Sequence, residues 1–174
     1  IKYIDKAFQL KPHIKHNFPV DLDIFFNLMK ADVYYSNNKF TQSLKIYNEV
    51  FRKKISKETY GYFYHCEQYI LNNLISGNNV KASKLICDLF EADIPAGINQ
   101  LRYLLTKSKF YLCCNNLKEA NNLILKAYEL NQKSAFLPFE IQIKVLENIL
   151  FYLKKDFEFC KFLAVKNLNY FKAN

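Results

Sequence analysis

Residues 101–131 read LRYLLTKSKFYLCCNNLKEANNLILKAYELN, and this stretch decides the fold. Apolar and small side chains recur there at steps of three and four residues, on both sides of the Asn115-Asn116 pair, and this is the spacing of one helical face. These positions are Leu101, Leu104, Leu105, Ser108, Tyr111 and Leu112 in the first half, and Leu117, Ala120, Ile124 and Ala127 in the second. Because asparagine tolerates left-handed backbone angles, the Asn pair predicts a tight turn between two antiparallel helices.

The same unit recurs along the chain. An anchor residue follows each predicted turn, and the four anchors are Phe40, Val80, Leu117 and Phe157. Successive anchors are separated by roughly 40 residues, a period that is typical of arrays of helical pairs. The pattern predicts a truncated repeat at residues 1–11, part of a longer chain, and then helical pairs at 22–54, 57–92, 98–131 and 138–172.

The pair at 57–92 leaves its register open by one residue. Its first helix is expected to run from residue 57 to residue 75, and its second helix begins after Gly77-Asn78-Asn79. One register buries Val80, Ser83, Cys87 and Phe90 on the returning helix. The other buries Ala82, Ile86 and Leu89, and both sets have helical spacing.

The repeated unit resembles a tetratricopeptide repeat, a helix–turn–helix unit of about 34 residues. The residues that carry the resemblance are Leu104, Ser108, Tyr111, Leu117, Ala120, Ile124 and Ala127. The aromatic residue at the start of the family's first helix is a leucine here, its closing proline is absent, and the period is longer. The resemblance implies an all-α fold in a single domain over 1–174: a right-handed α-α superhelix, or solenoid, of antiparallel helix pairs with about nine helices.

The resemblance also implies a groove, because four positions on the first helix of each pair face the concave side in this family. Carried over, these positions are Phe25, Leu28, Asp32 and Tyr35, then His65, Gln68, Asn72 and Ile75, then Arg102, Leu105, Lys109 and Leu112. The implied function is a noncatalytic scaffold that binds a protein or peptide partner. The expected ligand-binding residues are Asp32, Tyr35, Gln68, Asn72, Arg102 and Lys109. The alternative is an ordinary solvated helix face.

The charge of the chain leaves two further alternatives open. The net charge is +9, with 25 Lys and Arg against 16 Asp and Glu, but Arg52 and Arg102 are the only arginines. Bidentate contacts to bases and phosphates depend on arginine, so nucleic-acid binding by a basic surface is less favoured than a protein partner. The truncated first repeat also fits a regulatory or sensor segment of a larger, transcriptional regulator.

The sequence predicts no enzyme, no cofactor and no metal site. The five cysteines are odd in number and have no CxxC spacing, so we expect free, largely buried thiols in a reducing compartment such as the cytoplasm. The Cys113-Cys114 pair is expected to pack rather than to act in redox chemistry. His13 and His16 have HxxH spacing but lie in a predicted connector. No apolar run approaches the roughly 20 residues that a membrane-spanning helix needs, which predicts no membrane span.

Overall fold

The computed structural model describes residues 6, 22–53, 55–59, 61–91, 94 and 96–173, and every regular element in them is helical. The chain divides into two compact units, Ile1–Phe90 and Glu91–Asn174. The prediction of an all-α fold built from consecutive helical pairs is confirmed. The predicted repeat end at 1–11 and the His13/His16 pair fall outside the described residues, apart from helical Lys6.

The first unit contains four described helices. They are α1 (Leu22–Ser36), α2 (Phe40–Arg52), α3 (Tyr62–Ile75) and α4 (Asn79–Ile86), and α4 continues into a π-helical turn at Cys87–Glu91. Helices α1 and α2 pack against each other, α3 packs against both, and α4 packs against α3. Leu28, Ala31, Tyr47, Val50 and Tyr69 form the core shared by the first three helices.

The second unit repeats this arrangement with longer helices. They are α5 (Ile98–Cys113), α6 (Leu117–Ser134), α7 (Leu137–Leu153) and α8 (Phe157–Ala173). Helix α7 packs against both α5 and α6, and α8 packs against α7. The core of this unit comprises Leu101, Leu104, Leu105, Leu112, Ala120, Ile124, Ala127, Phe139, Ile143, Leu146 and Leu150. Burial of each such leucine or isoleucine stabilises the unit by roughly 1.5–3 kcal/mol before the cost of ordering the chain.

One turn joins the two helices of each pair, and the four turns have the same geometry. In every turn a single residue has a positive φ, and these residues are Asn38, Gly77, Asn115 and Lys155. The next backbone N–H donates to the carbonyl five residues earlier, at 2.8, 2.8, 2.9 and 3.1 Å respectively. This is the Schellman arrangement, which satisfies the last carbonyls of a helix. The Asn turns predicted from the sequence are therefore present.

Small residues let the paired helices approach closely. The buried Ser43 hydroxyl donates to the carbonyl oxygen of Ala31 at 2.8 Å, so α1 and α2 touch backbone to side chain. The equivalent contact between α7 and α8 joins the Cys160 thiol to the Asn148 carbonyl oxygen at 3.5 Å. Ala120 in α6 is fully buried at the equivalent position. A large side chain at any of these positions would force the two helices apart.

The structure selects one of the two registers in the second pair. Ala82 is fully buried and Ile86 is 3% exposed, whereas Val80 is 87% exposed. The prediction of Val80 as an anchor is therefore wrong, and α4 begins one residue earlier at Asn79. The first helix of the pair begins at Tyr62 rather than residue 57, because Gly61 adopts a left-handed conformation directly before it.

The four turns predict a pair of opposite stability effects. Lys155→Gly is expected to stabilise the chain by up to about 1 kcal/mol, because glycine adopts φ = 63° without the steric cost that a side chain meets there. Lys154 has φ = −71° in the preceding position, so Lys154→Gly should destabilise the chain by roughly 0.5–1 kcal/mol. Urea unfolding followed by circular dichroism measures both changes.

A third variant separates backbone strain from packing. A Cβ added to Gly77 would meet no atom within 4 Å, so Gly77→Ala tests the positive φ of 75° alone. We expect a loss of about 1 kcal/mol. Equal effects of Lys155→Gly and Lys154→Gly would contradict this account of the turns.

Candidate partner-binding surface

Asp32, a predicted groove residue, is held inside the first unit by two other side chains. The Tyr47 hydroxyl of α2 donates to its Oδ1 atom, and Nδ1 of His65 in α3 lies 3.1 Å from its Oδ2 atom, without the alignment of a hydrogen bond. The Asp32 side chain is only 12% exposed and that of His65 only 4%. The Asp32 carboxylate of α1 therefore contacts side chains of both α2 and α3, and these contacts give it a structural role in the first unit.

The corrected register changes which α3 residues occupy the groove positions of the family. Starting α4 at Asn79 moves those positions to Tyr64, Glu67, Leu71 and Leu74. Of the residues predicted from the other register, Gln68 is half-buried and Asn72 has no exposed surface. Asn72 therefore does not reach solvent, and ligand binding by Gln68 stays a prediction.

Tyr35 lies beside the residues that the corrected register selects. Burial raises the pKa of Tyr35, and the nearby Glu67 carboxyl and Tyr64 hydroxyl raise that pKa further. Glu67 is 4% exposed, whereas Tyr64 is 40% exposed. Tyr35 and Tyr64 thus form the solvent-facing part of a mostly buried acidic and aromatic cluster.

The two expected ligand-binding residues of the second unit, Arg102 and Lys109, lie on α5 and contact α7. The guanidinium carbon of Arg102 is 5.7 Å from the centre of the Phe139 ring, which is a cation–π distance. The ammonium group of Lys109 donates to Oε1 of Gln142 at 3.0 Å. Both cations therefore lie at the junction of the two helices.

Helix α7 is apolar on two opposite faces. Its buried face comprises Phe139, Ile143, Leu146 and Leu150, each at most 5% exposed. On the other side lies a row that we name the α7 stripe: Leu137, Ile141, Val145, Ile149 and Tyr152, which are 43%, 39%, 47%, 41% and 60% exposed. At 100° per residue the centre of the stripe lies about 150° from the centre of the buried face. Folding of the unit therefore does not account for the apolar residues of the stripe.

The stripe has the size and shape of a binding surface for one helix or extended segment. It runs over four helical turns, which correspond to about 22 Å. Apolar side chains spaced at four, four, four and three residues form a continuous row, whereas single exposed apolar residues are common on any protein. Gln142 lies at the edge of the stripe and fixes the position of Lys109 beside it.

Part of the stripe can be located from the repeat pattern of the sequence. The groove positions of the third pair are Arg102, Leu105, Lys109 and Leu112, and the anchors Leu117 and Phe157 define the step to the fourth pair. The same step leads from these groove positions to Gln142, Val145, Ile149 and Tyr152. Three of these four residues belong to the exposed stripe.

A pocket in the first unit is a weaker candidate. It has a volume of about 410 Å³ between α2 and α4, with Phe51 and Tyr69 stacked at 5.0 Å in its wall. Asn48 Oδ1 already accepts from the Tyr69 hydroxyl and the Lys81 ammonium group, at 2.5 Å in each case. Its remaining charged residues are Arg52, Glu49 and Asp88, of both signs, so the pocket favours no ligand charge.

Two of the cysteines, Cys66 and Cys113, have raised thiol pKa values. Burial raises the pKa of Cys66 to about 12, and partial desolvation together with the neighbouring Cys114 raises the pKa of Cys113, so both are thiols at neutral pH. The thiolate is the nucleophilic form. The expectation of largely buried thiols is wrong for Cys87, Cys113 and Cys114, which are exposed, and the Cys113-Cys114 pair lies at the C-terminal end of α5.

Metal-binding clusters and membrane-spanning helices are both absent from the part of the chain that the structure describes. There, no cluster of three or more His, Cys, Asp or Glu side chains has the arrangement of a metal site. None of the described helices combines the length and the apolar content that crossing a bilayer requires.

Comparison of the chain with protein-family models, with curated proteins and with solved structures finds no match.

Proposed function

We propose that the chain is a noncatalytic, tetratricopeptide-like interaction module that binds a segment of a partner protein on the surface formed by α5 and α7. The observation that carries the proposal is the α7 stripe, because it is apolar, continuous and directed away from the core of its own unit. Amphipathic segments bind to such surfaces through apolar side chains at regular spacing. The four similar helical turns support the resemblance on which the repeat assignment depends.

The chemistry of the partner follows from the residues beside the stripe. Lys109 lies on the α5 side of the stripe, where it donates to Gln142, and the chain carries a net charge of +9. A positive field attracts acidic partners and accelerates their association. The segment that fits best has three or four apolar side chains in a row and carboxylates flanking them on one side.

Peptide selection with matched variants tests this function. From a displayed library of random peptides, the 174-residue chain is expected to select sequences that combine apolar spacing with Asp or Glu. Ile149→Asp should weaken the selected peptides at least about tenfold, because it places a carboxylate in the centre of an apolar contact. Val80→Asp is the control, since Val80 is 87% exposed on α4 in the first unit and should leave binding unchanged.

The charges beside the stripe provide a second measurement. Lys109→Gln should mainly slow association and reduce its dependence on salt, because it removes charge without removing apolar area. Selected peptides that bind equally well to the wild type, Ile149→Asp and Val80→Asp would show that the partner surface lies elsewhere.

A further inference from the structure

The exposed stripe of α7 has a buried counterpart on α5. The turns after these two helices have their left-handed residues at Asn115 and Lys155, and the step between these two residues relates equivalent positions of the helices. That step leads from three α5 residues to three residues of the stripe: Leu101 to Ile141, Leu105 to Val145 and Leu112 to Tyr152. The three α5 residues are 0%, 0% and 8% exposed, whereas the stripe residues are 39%, 47% and 60% exposed. Equivalent surfaces are therefore covered on α5 and exposed on α7.

The structure shows what covers this surface of α5. Its three leucines belong to a core cluster to which α6 and α7 also contribute, and the α7 members are Phe139, Ile143, Leu146 and Leu150. Helix α6 is the hairpin partner of α5, as α8 is the hairpin partner of α7. Within the described part of the chain, the difference between the two helices is therefore that α5 is also covered by the first helix of the next pair.

The helix that covers α5 is parallel to it. Arg102 of α5 contacts the Phe139 ring of α7, and Lys109, further along α5, contacts Gln142, further along α7. Because both contacts advance towards the carboxyl ends of the two helices, α5 and α7 run in the same direction. The buried residues of α7 are spaced by four, three and four residues, which places them in one row on a helix.

The neighbouring side of α8 shows the same difference. Ile124 of α6 is 4% exposed and belongs to the core cluster. The step from Asn115 to Lys155 leads from Ile124 to Ala164 of α8, which is exposed. The surface that α5 and α6 present to α7 is therefore repeated on α7 and α8, where it is exposed.

We infer that the segment of the partner protein binds to the α7 stripe as an α-helix parallel to α7, in the position that α7 itself has on α5. The inference rests on the proposed function, since it specifies the form of the segment that the stripe binds. The partner helix presents an apolar row with the spacing of the buried face of α7. One contact differs, because the step from α5 to α7 replaces Lys109 by Ile149. The partner therefore has an apolar residue where α7 has Gln142, the residue that contacts Lys109.

A peptide derived from α7 itself is the probe. It has the 17-residue sequence of Leu137–Leu153 with the outward residues made polar, by Ile141→Glu, Val145→Lys, Ile149→Glu and Tyr152→Lys. Fluorescence anisotropy with the 174-residue chain is expected to give a dissociation constant of roughly tens of micromolar, because one helix buries less area than a standard interface. Ile149→Asp in the protein should weaken the probe at least about tenfold. Val80→Asp in the protein is the control and should leave binding unchanged, and circular dichroism verifies that both proteins are folded.

Two variants of the peptide test its conformation and its orientation. Proline in place of lysine at position 145 of the peptide keeps the whole inner row but breaks the helix, so it should weaken binding at least about tenfold. Gln142→Leu in the peptide should tighten binding about threefold or more, because the parallel arrangement places this residue against Ile149 of the protein.

The outcomes separate this inference from the proposed function. Equal binding of the proline peptide would show that the stripe takes an extended segment, and would overturn the helical form alone. A probe that does not bind, while peptides selected from the random library still depend on Ile149, would overturn the α7-like helix and leave the proposed function intact. A Gln142→Leu peptide that binds no tighter than the probe would overturn the parallel arrangement. If neither the probe nor any library peptide depends on Ile149, both the inference and the proposed function are wrong.

Discussion

Tyr47→Ala is expected to destabilise the first unit by about 3–5 kcal/mol, the range for removing a large aromatic side chain from a core. Tyr47 has no exposed surface. Its ring is stacked on Tyr69 at 5.4 Å and lies 6.2 Å from the Phe51 ring. The truncation therefore removes apolar area, two aromatic contacts and one of the partners of the partly buried Asp32 carboxylate.

Tyr47→Phe isolates the hydroxyl from the ring. Because the ring remains, we expect a smaller loss of about 1–3 kcal/mol, due to an acceptor oxygen of Asp32 that loses its buried donor. Combining Tyr47→Phe with Asp32→Asn measures the coupling, and the two losses should not add. Asp32→Asn also changes the charge that faces His65, so the cycle includes all three helices.

Urea unfolding and amide hydrogen exchange measure these effects. The exchange of amides in α1, α2 and α3 should accelerate in Tyr47→Ala. Tyr128→Ala is the matched control, because Tyr128 is 46% exposed and its loss should cost much less. A loss in Tyr47→Ala no larger than in Tyr128→Ala would contradict the central place of Tyr47 in the first unit.

The sequence predicts the turns and the close helix contacts well, because both depend on local residue chemistry. A left-handed residue is required at one position of each turn, and asparagine or glycine occupies three of the four. Lys155 occupies the fourth without a special propensity, yet the flanking helical patterns still locate that turn. Small residues such as Ser43 and Ala120 follow each turn at a fixed distance, as close packing requires.

The register of α4 could not be predicted, because two sets of apolar residues had helical spacing. Ala82 and Ile86 face α3, and Val80 is left in solvent. The choice depends on which set fits against α3, and this is tertiary information. The same shift by one residue displaced the predicted groove positions of α3 and led to the choice of the buried Asn72.

Part of the candidate site could be predicted from the sequence. Three residues of the α7 stripe, Val145, Ile149 and Tyr152, fall on the groove positions that the resemblance implies once the step from Leu117 to Phe157 is applied to the third pair. The contacts of Asp32 could not be predicted from the sequence, because its partners Tyr47 and His65 are distant in sequence and lie on two other helices. No local pattern encodes which side chains of three helices meet.

The first unit is expected to lose stability steeply as the pH rises above about 9, on the order of a few kcal/mol by pH 12. Burial raises the pKa of Cys66 from 9.0 to about 12, against smaller opposing effects of Tyr62 and Lys57. Burial, and then the Asp32 carboxylate, raises the pKa of Tyr47 above its ordinary value of 10.0. Both groups are neutral in the folded chain and lose their protons more easily when it unfolds.

The direction of the pH effect follows from these raised values. Below pH 9 both groups are protonated in the folded and unfolded chain, so their full contribution to stability is present. Between pH 9 and 12 the unfolded chain releases the Cys66 proton while the folded chain retains it, and the free energy of unfolding falls. Tyr47 extends the loss to higher pH, because its deprotonation in the unfolded chain begins near pH 10.

Unfolding measured at intervals of pH from 7 to 12 tests the effect, with Cys66→Val as the informative variant. Valine removes the titrating thiol and approximately retains its volume, so stability should depend less on pH between 9 and 12. Cys114→Ser changes an exposed thiol and should leave the profile unchanged. Labelling with a thiol reagent gives an independent readout, because the buried Cys66 should react only as the unit unfolds. A Cys66→Val profile identical to that of the wild type would show that this thiol does not contribute to alkaline unfolding.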